Sequence, residues 1–226
     1  LNEYIHRSNA AAATTWVSVY GDMGLKPTYV KAAFEYAYDE LKKQNVQNKV
    51  TLFYNDYDTY FSVDDELALI SYINEGEEAK ICGGIGMQSH VDIKRPTLEE
   101  YGNALKAFIN AGLEVQITEL DITINFDTDD TDGRTPTYAY KNEKETDADQ
   151  AAFTKDFIKQ IVDIQKNRDK TISPKGITGI TVWGISDQTS WRGSCSLQER
   201  ALELRTRQPV STKRYILMCQ RSLMRQ

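Results

Sequence analysis

From residue 28 onward, stretches with helical apolar spacing alternate with short apolar runs, and this alternation constrains the fold more than any other feature of the chain. A short run buried on both faces needs a helix to cover it, so the pattern predicts βαβ units around a parallel sheet. Thr28 to Gln44 is predicted to be a helix, with Val30, Ala33, Phe34, Ala37 and Leu41 on one face. Val50 to Tyr54 follows as a strand. Ser62 is placed to cap a helix through Asn74, with Asp64, Asp65 and Glu66 in its first turn and Leu67, Ile70 and Ile73 facing inward. Ile81 to Gly86 is the next strand. Thr97-Leu98-Glu99-Glu100 has the spacing of a capping box, opening a helix to Asn110 that Gly112 stops. Val115 to Leu120 is a strand, Asp147 opens a long helix through Lys166, and Ile177 to Trp183 is the last clear strand. Leu1 to Glu3 fits the stub of an earlier one.

Of the 226 residues, 40% are hydrophobic and 27% charged, which suits one globular domain with a sizeable core. The formal charge of −6 argues against a nucleic-acid or anionic-membrane partner and for a neutral substrate. Cys82, Cys195 and Cys219 are too few and too irregular for a disulfide framework or a zinc site. No apolar run is long enough to span a membrane, and the first residues do not read as a leader.

In a closed parallel barrel, chemistry is carried by polar residues just past the C-terminal ends of the strands. Five clusters hold that place: Asn2-Glu3, Asn55-Asp56-Tyr57, Gln88-Ser89-His90, Glu119-Leu120-Asp121, and Trp183 with Asp187 and Trp191. Two acids, an imidazole, amides and indoles on one face suit glycosidic cleavage. One carboxylic acid protonates the leaving oxygen, one carboxylate meets the anomeric carbon, amides bind hydroxyls and indoles stack on sugar rings.

Those clusters sit in longer runs: Phe53-Tyr54-Asn55-Asp56-Tyr57, Gly84-Ile85-Gly86-Met87-Gln88-Ser89-His90, Ile117-Thr118-Glu119-Leu120-Asp121, and Val182 to Asp187 leading to Ser190-Trp191-Arg192. With Asn2-Glu3, and in this order and spacing, they resemble the family 10 glycoside hydrolases over residues 1–194. The resemblance implies a partial TIM (β/α)₈ barrel, strands four to eight with intervening helices, from a retaining endo-1,4-β-xylanase. Glu119 would be the nucleophile and Glu3 the acid/base, with carboxyls about 5 to 5.5 Å apart as retention requires. His90 would bond Glu119 and be held by Asp121. Asn2 would bind the 2-hydroxyl, Gln88 would contact the nucleophile or the sugar, Asn55 and Tyr57 would serve the aglycone side, and Trp183 and Trp191 would wall the cleaved sugar. Asp56 reads as a structural ligand of its loop and His6 as a loop residue. Asp58 stands where the family most often has asparagine. The implied partner is xylan or xylo-oligosaccharide, with no cofactor and no metal, and the enzyme is expected to be a secreted monomer. A cellulase of the same clan is the nearest rival, expected to lack Gln88-Ser89-His90; an inactive half barrel is the other.

Two segments stand apart. Residues 195–226 hold seven basic and two acidic side chains, which leaves 20 basic and 31 acidic on the first 194 residues, so the tail is +5 and the rest −11. It is either a basic interaction tail or a shifted reading frame, and the short uncapped stretch Leu197 to Leu204 favours the second. The run Asp127 to Gly133 has glycine at the seventh place rather than the sixth and no glutamate at the twelfth, so it reads as a solvated loop rather than a calcium site.

Overall fold

The computed structural model describes residues 1–7, 17–124 and 145–184. The tail from 195, the acidic run at 127–133, Asp187 and Trp191 lie outside them. After a helical turn at Ser18–Tyr20, the elements are α1 (Thr28–Lys43), β1 (Phe53–Asp56), α2 (Val63–Ile73), β2 (Gly84–Met87), β3 (His90–Asp92), α3 (Leu98–Asn110), β4 (Glu114–Thr123), α4 (Asp147–Asn167) and β5 (Ile177–Val182). Every strand pair is parallel. β1 pairs with β2, β2 and β3 lie end to end along the same edge of β4, and β5 takes its other edge. Asn2 bridges Asn55 in parallel, so the first residues belong to one more strand beside β1 and meet it near its C-terminal end. Neighbours in space follow chain order, which is the arc of a βα barrel.

The core lies between this arc and its helices. Val30 and Phe34 of α1, Leu69, Ile70 and Ile73 of α2, Tyr101, Leu105 and Phe108 of α3, and Phe157 and Ile161 of α4 bury against Tyr54, Ile85, Met87, Val115 and Ile117. β2 is buried at all four positions, as a strand covered on both faces must be. Thr97 opens α3 with the expected capping box, and Thr146 and Asp149 form a second one on α4. Each cap contributes roughly 1 kcal/mol. Gly112 ends α3 with φ 76°, a conformation costly for a side-chain-bearing residue. Cys82 is buried, and burial pushes its thiol up to about 12, so it acts as an apolar packing residue.

Three expectations need correcting. β1 and β2 begin at Phe53 and Gly84, because pairing with the neighbouring strand, rather than the apolar run at Val50 or Ile81, decides where a ladder starts. Ser62 makes no side-chain cap bond on α2; its hydroxyl reaches Asp58 O and Glu66 Oε1 instead. Glu66 is fully buried, since α2 turns the stripe 66, 69, 70 and 73 inward and leaves Leu67 only partly covered.

Candidate active site

The C-terminal ends of the strands bring Asn2, Glu3, Asn55, Gln88, His90, Glu119 and Asp121 together. Asn55 is the hub. Its Nδ2 donates to Glu119 Oε1 at 3.0 Å and to Asn2 Oδ1 at 2.5 Å, while its Oδ1 accepts from Thr118 Oγ1 at 2.6 Å. Asn2 Nδ2 donates to Glu3 Oε1 at 2.7 Å, so the two acids are joined through two amides. Gln88 Nε2 donates to Glu3 Oε1 at 2.7 Å. The expected contact of the Gln88 side chain with Glu119 is therefore made to the other acid; only the backbones meet, Glu119 N donating to Gln88 O at 3.0 Å.

His90 stands between two carboxylates. Its Nδ1 is 3.0 Å from Asp121 Oδ2, and its Nε2 is 3.6 Å from Glu119 Oε2. Asp121 is buried, at 1% side-chain exposure, while Glu119 keeps 16%. The ring donates to both acids only as imidazolium; as a neutral ring it can serve one. Trp183 stands edge-on to His90, ring centres 6.4 Å apart, and is 45% exposed, which leaves indole surface available to a sugar.

Glu119 reaches the mouth through an irregularity in β4. Thr118 and Glu119 are consecutive, yet both touch Asn55, which strict strand alternation forbids. Between the pairs Met87↔Ile117 and His90↔Asp121, the β2–β3 edge advances three residues while β4 advances four. On the β5 side, Ile117↔Ile180 and Leu120↔Val182 show the same surplus of one. A bulge of this kind re-aims one side chain at a strand end. Opposite it, Ser89 adopts φ 66° where β2 gives way to β3, and its hydroxyl lies 2.7 Å from that of the buried Tyr101.

Gly86 is required by the same packing. A Cβ there would lie 2.3 Å from Asn55 Oδ1 and 3.0 Å from Thr118 Cγ2.

Tyr57 and His6 stack on each other, ring centres 3.7 Å apart. His6 is more than a loop residue: its Nδ1 lies 2.7 Å from Asp56 Oδ1. Nothing in the local sequence marked this pair, because its partners are 50 residues apart. The hub role of Asn55 was equally hidden, though its strand-end place flagged the residue. Among the described residues, no three His, Cys, Asp or Glu side chains converge to hold a metal, and no helix is long and apolar enough to cross a membrane.

The chain is similar to known proteins in sequence and in fold. The family model described as Glycosyl hydrolase family 10 matches residues 1–208. The chain is 40% identical over 190 residues to endo-1,4-beta-xylanase A of Butyrivibrio fibrisolvens, covering 84% of this chain and 38% of that one. A solved endo-1,4-beta-D-xylanase of Clostridium thermocellum, complexed with xylohexaose, is 30% identical with a TM-score of 0.55, over 80% of this chain and 31% of that one. An endoxylanase from a sugarcane soil metagenome, 24% identical, shares the fold with a TM-score of 0.57 over 84% of this chain and 50% of that one. The chain spans 38%, 15% and 44% of three curated relatives, less than half of each.

Proposed function

The chain belongs to glycosyl hydrolase family 10, and from that membership we propose that it carries the catalytic half of a retaining endo-1,4-β-xylanase. The observation that supports this most is the hydrogen-bonded chain from Glu3 through Asn2 and Asn55 to Glu119, two carboxyl groups at the strand ends in distinct settings. Glu119, held by Asn55 and beside His90, serves as the ionised nucleophile. Glu3, contacted by the neutral amides of Asn2 and Gln88, serves as the acid. A carboxyl separation of about 5 to 5.5 Å goes with this assignment.

In the first step a Glu119 oxygen forms a bond to the anomeric carbon. The bond from that carbon to the bridging oxygen breaks as Glu3 gives that oxygen its proton. In the second step Glu3, now ionised, takes a proton from water; the water oxygen bonds to the anomeric carbon, and the ester to Glu119 breaks, so two inversions restore the starting configuration. Asn2 contributes through the 2-hydroxyl, Asn55 and Tyr57 on the aglycone side, and Trp183 and Trp191 as walls. Xylan as substrate follows the names of the relatives and the xylo-oligosaccharide in the Clostridium complex. The enzyme is read as a secreted monomer.

The test is trapping with an activated 2-fluoro xylobioside on the full-length gene product. A stable glycosyl ester on the peptide containing Glu119, absent from Glu119→Gln, is expected. Labelling elsewhere, or turnover without any ester, would overturn the assignment. Faster hydrolysis of carboxymethylcellulose than of xylan would move the chain to the cellulase reading.

A further inference from the structure

Asp56 is fully buried and accepts from four donors, and none of them belongs to the chain of bonds joining the two acids. Tyr57 N donates to Oδ1 at 2.8 Å, His6 Nδ1 lies 2.7 Å from the same oxygen, Ile5 N donates to Oδ2 at 3.2 Å, and the Tyr54 hydroxyl bonds that oxygen too. Two of the four, Ile5 and His6, stand two and three residues after Glu3. Ile5 N also donates to the Tyr54 hydroxyl at 2.9 Å.

Glu3 itself has φ 60°, a left-handed conformation that costs a side-chain-bearing residue roughly 1 to 3 kcal/mol and survives only where its surroundings over-determine it. Two consecutive residues of β1 supply that determination. Before the acid, the backbone of Asn55 takes Glu3 N at 2.8 Å and gives its own N–H to Leu1 O at 2.9 Å. After it, the side chain of Asp56 takes the backbone of Ile5 and the ring of His6. Strand alternation is what allows this division: Asn55 points into the mouth toward Glu119, and Asp56 points away from it.

Resting on the assignment of Glu3 as acid, we infer that Asp56, with His6, is a positioning residue for the proton donor, clamping the chain just past Glu3 so that its carboxyl meets the leaving oxygen. The clamp is specific to one of the two acids. Glu119 is held from β4 and is not touched by Asp56, so the nucleophile keeps its place when the clamp is loosened.

This selectivity gives a readout that mere loss of stability does not move. kcat/KM reports formation of the glycosyl-enzyme, which needs the acid when the leaving group is poor and does not when it is very good. In the full-length protein, Asp56→Asn is expected to lower kcat/KM for a phenyl xylobioside about 10- to 100-fold, a partial loss beside the roughly 100- to 10,000-fold that general acid catalysis supplies in full, and for the 2,4-dinitrophenyl analogue by less than about 3-fold. His6→Ala, which removes one donor and leaves the buried carboxylate its other three, is expected to show the same split at smaller amplitude and serves if Asp56→Asn does not fold. Equal losses on both substrates, or no loss on either, would overturn the clamp. Glu3→Ala separates this from failure of the underlying assignment: if it too loses equally on both substrates, Glu3 is not the acid; if it shows the split and the clamp variants do not, only the inference falls.

Discussion

Asn55 Nδ2 lies 3.0 Å from Glu119 Oε1, and the same nitrogen reaches Asn2, so one amide of β1 touches Glu119 and the partner of Glu3 together. Its removal takes away a donor to Glu119 and the bridge to Asn2 together. Asn55→Ala is expected to lower kcat about 100-fold, on the scale seen when one preorganised donor is lost from an active site. Steady-state kinetics on an aryl xylobioside measures it; a loss under a few-fold would show that the contact is not used.

Gly86→Ala should reach the same end by displacement. A methyl 2.3 Å from Asn55 Oδ1 cannot coexist with the observed rotamer, so the amide must swing off Glu119. Activity is expected to fall about 10-fold or more, and Gly86→Ala added to Asn55→Ala should cost little further, as coupled sites do. Additive losses would mean that Gly86 acts through some other contact.

Glu66 sets a pH signature on stability. Burial, and then the neighbouring Asp56, push its carboxyl up to about 9, against an unfolded value near 4.3. The folded state then holds a proton that the unfolded state releases. Its contribution is complete below the unfolded pKa and is lost as pH rises toward 9. Glu66→Gln removes the titration, so the Tm difference between this variant and the parent should widen in the variant's favour from pH 6 to pH 9, by about 4 °C or more. Parallel Tm curves would refute the buried-acid assignment.

At the opposite end of the strands Glu114 behaves in the other sense. Burial alone would raise its carboxyl, but hydrogen bonds from Lys175 at 2.7 Å and from Thr51 and Thr178 at 2.8 Å outweigh that and hold it below the usual range. Stability from this cluster is present above the unfolded pKa and disappears as pH falls through the folded one. Lys175→Met is expected to cost about 1 kcal/mol at pH 7, or 2–4 °C, and much less at pH 3. Calorimetry at the two values tests it.

The helices were legible because each carries a regular apolar stripe, and the two threonine caps fall at or next to the helix starts read from the sequence. The strand ends were legible as clusters of polar residues after apolar runs. The inward stripe of α2 was read through Leu67, Ile70 and Ile73, whereas 66, 69, 70 and 73 have the spacing of the face that is buried; Glu66, placed correctly in the first turn, carried no mark of its burial. What stayed out of reach was long-range. That Asn55 meets Glu119, that Gln88 meets Glu3, and that His6 meets Asp56 depend on register between strands, which no local pattern records.

The extra residue in β4 has a consequence for how this chain tolerates change. The direction of Glu119 comes from a count, four residues against three, and neither charge nor volume enters it. Point substitutions at Thr118 or Leu120 preserve that count, whereas deleting a single residue between Ile117 and Asp121 removes the surplus that lets Thr118 and Glu119 both face Asn55. Length, in this short stretch, is the inherited quantity that the chemistry cannot do without.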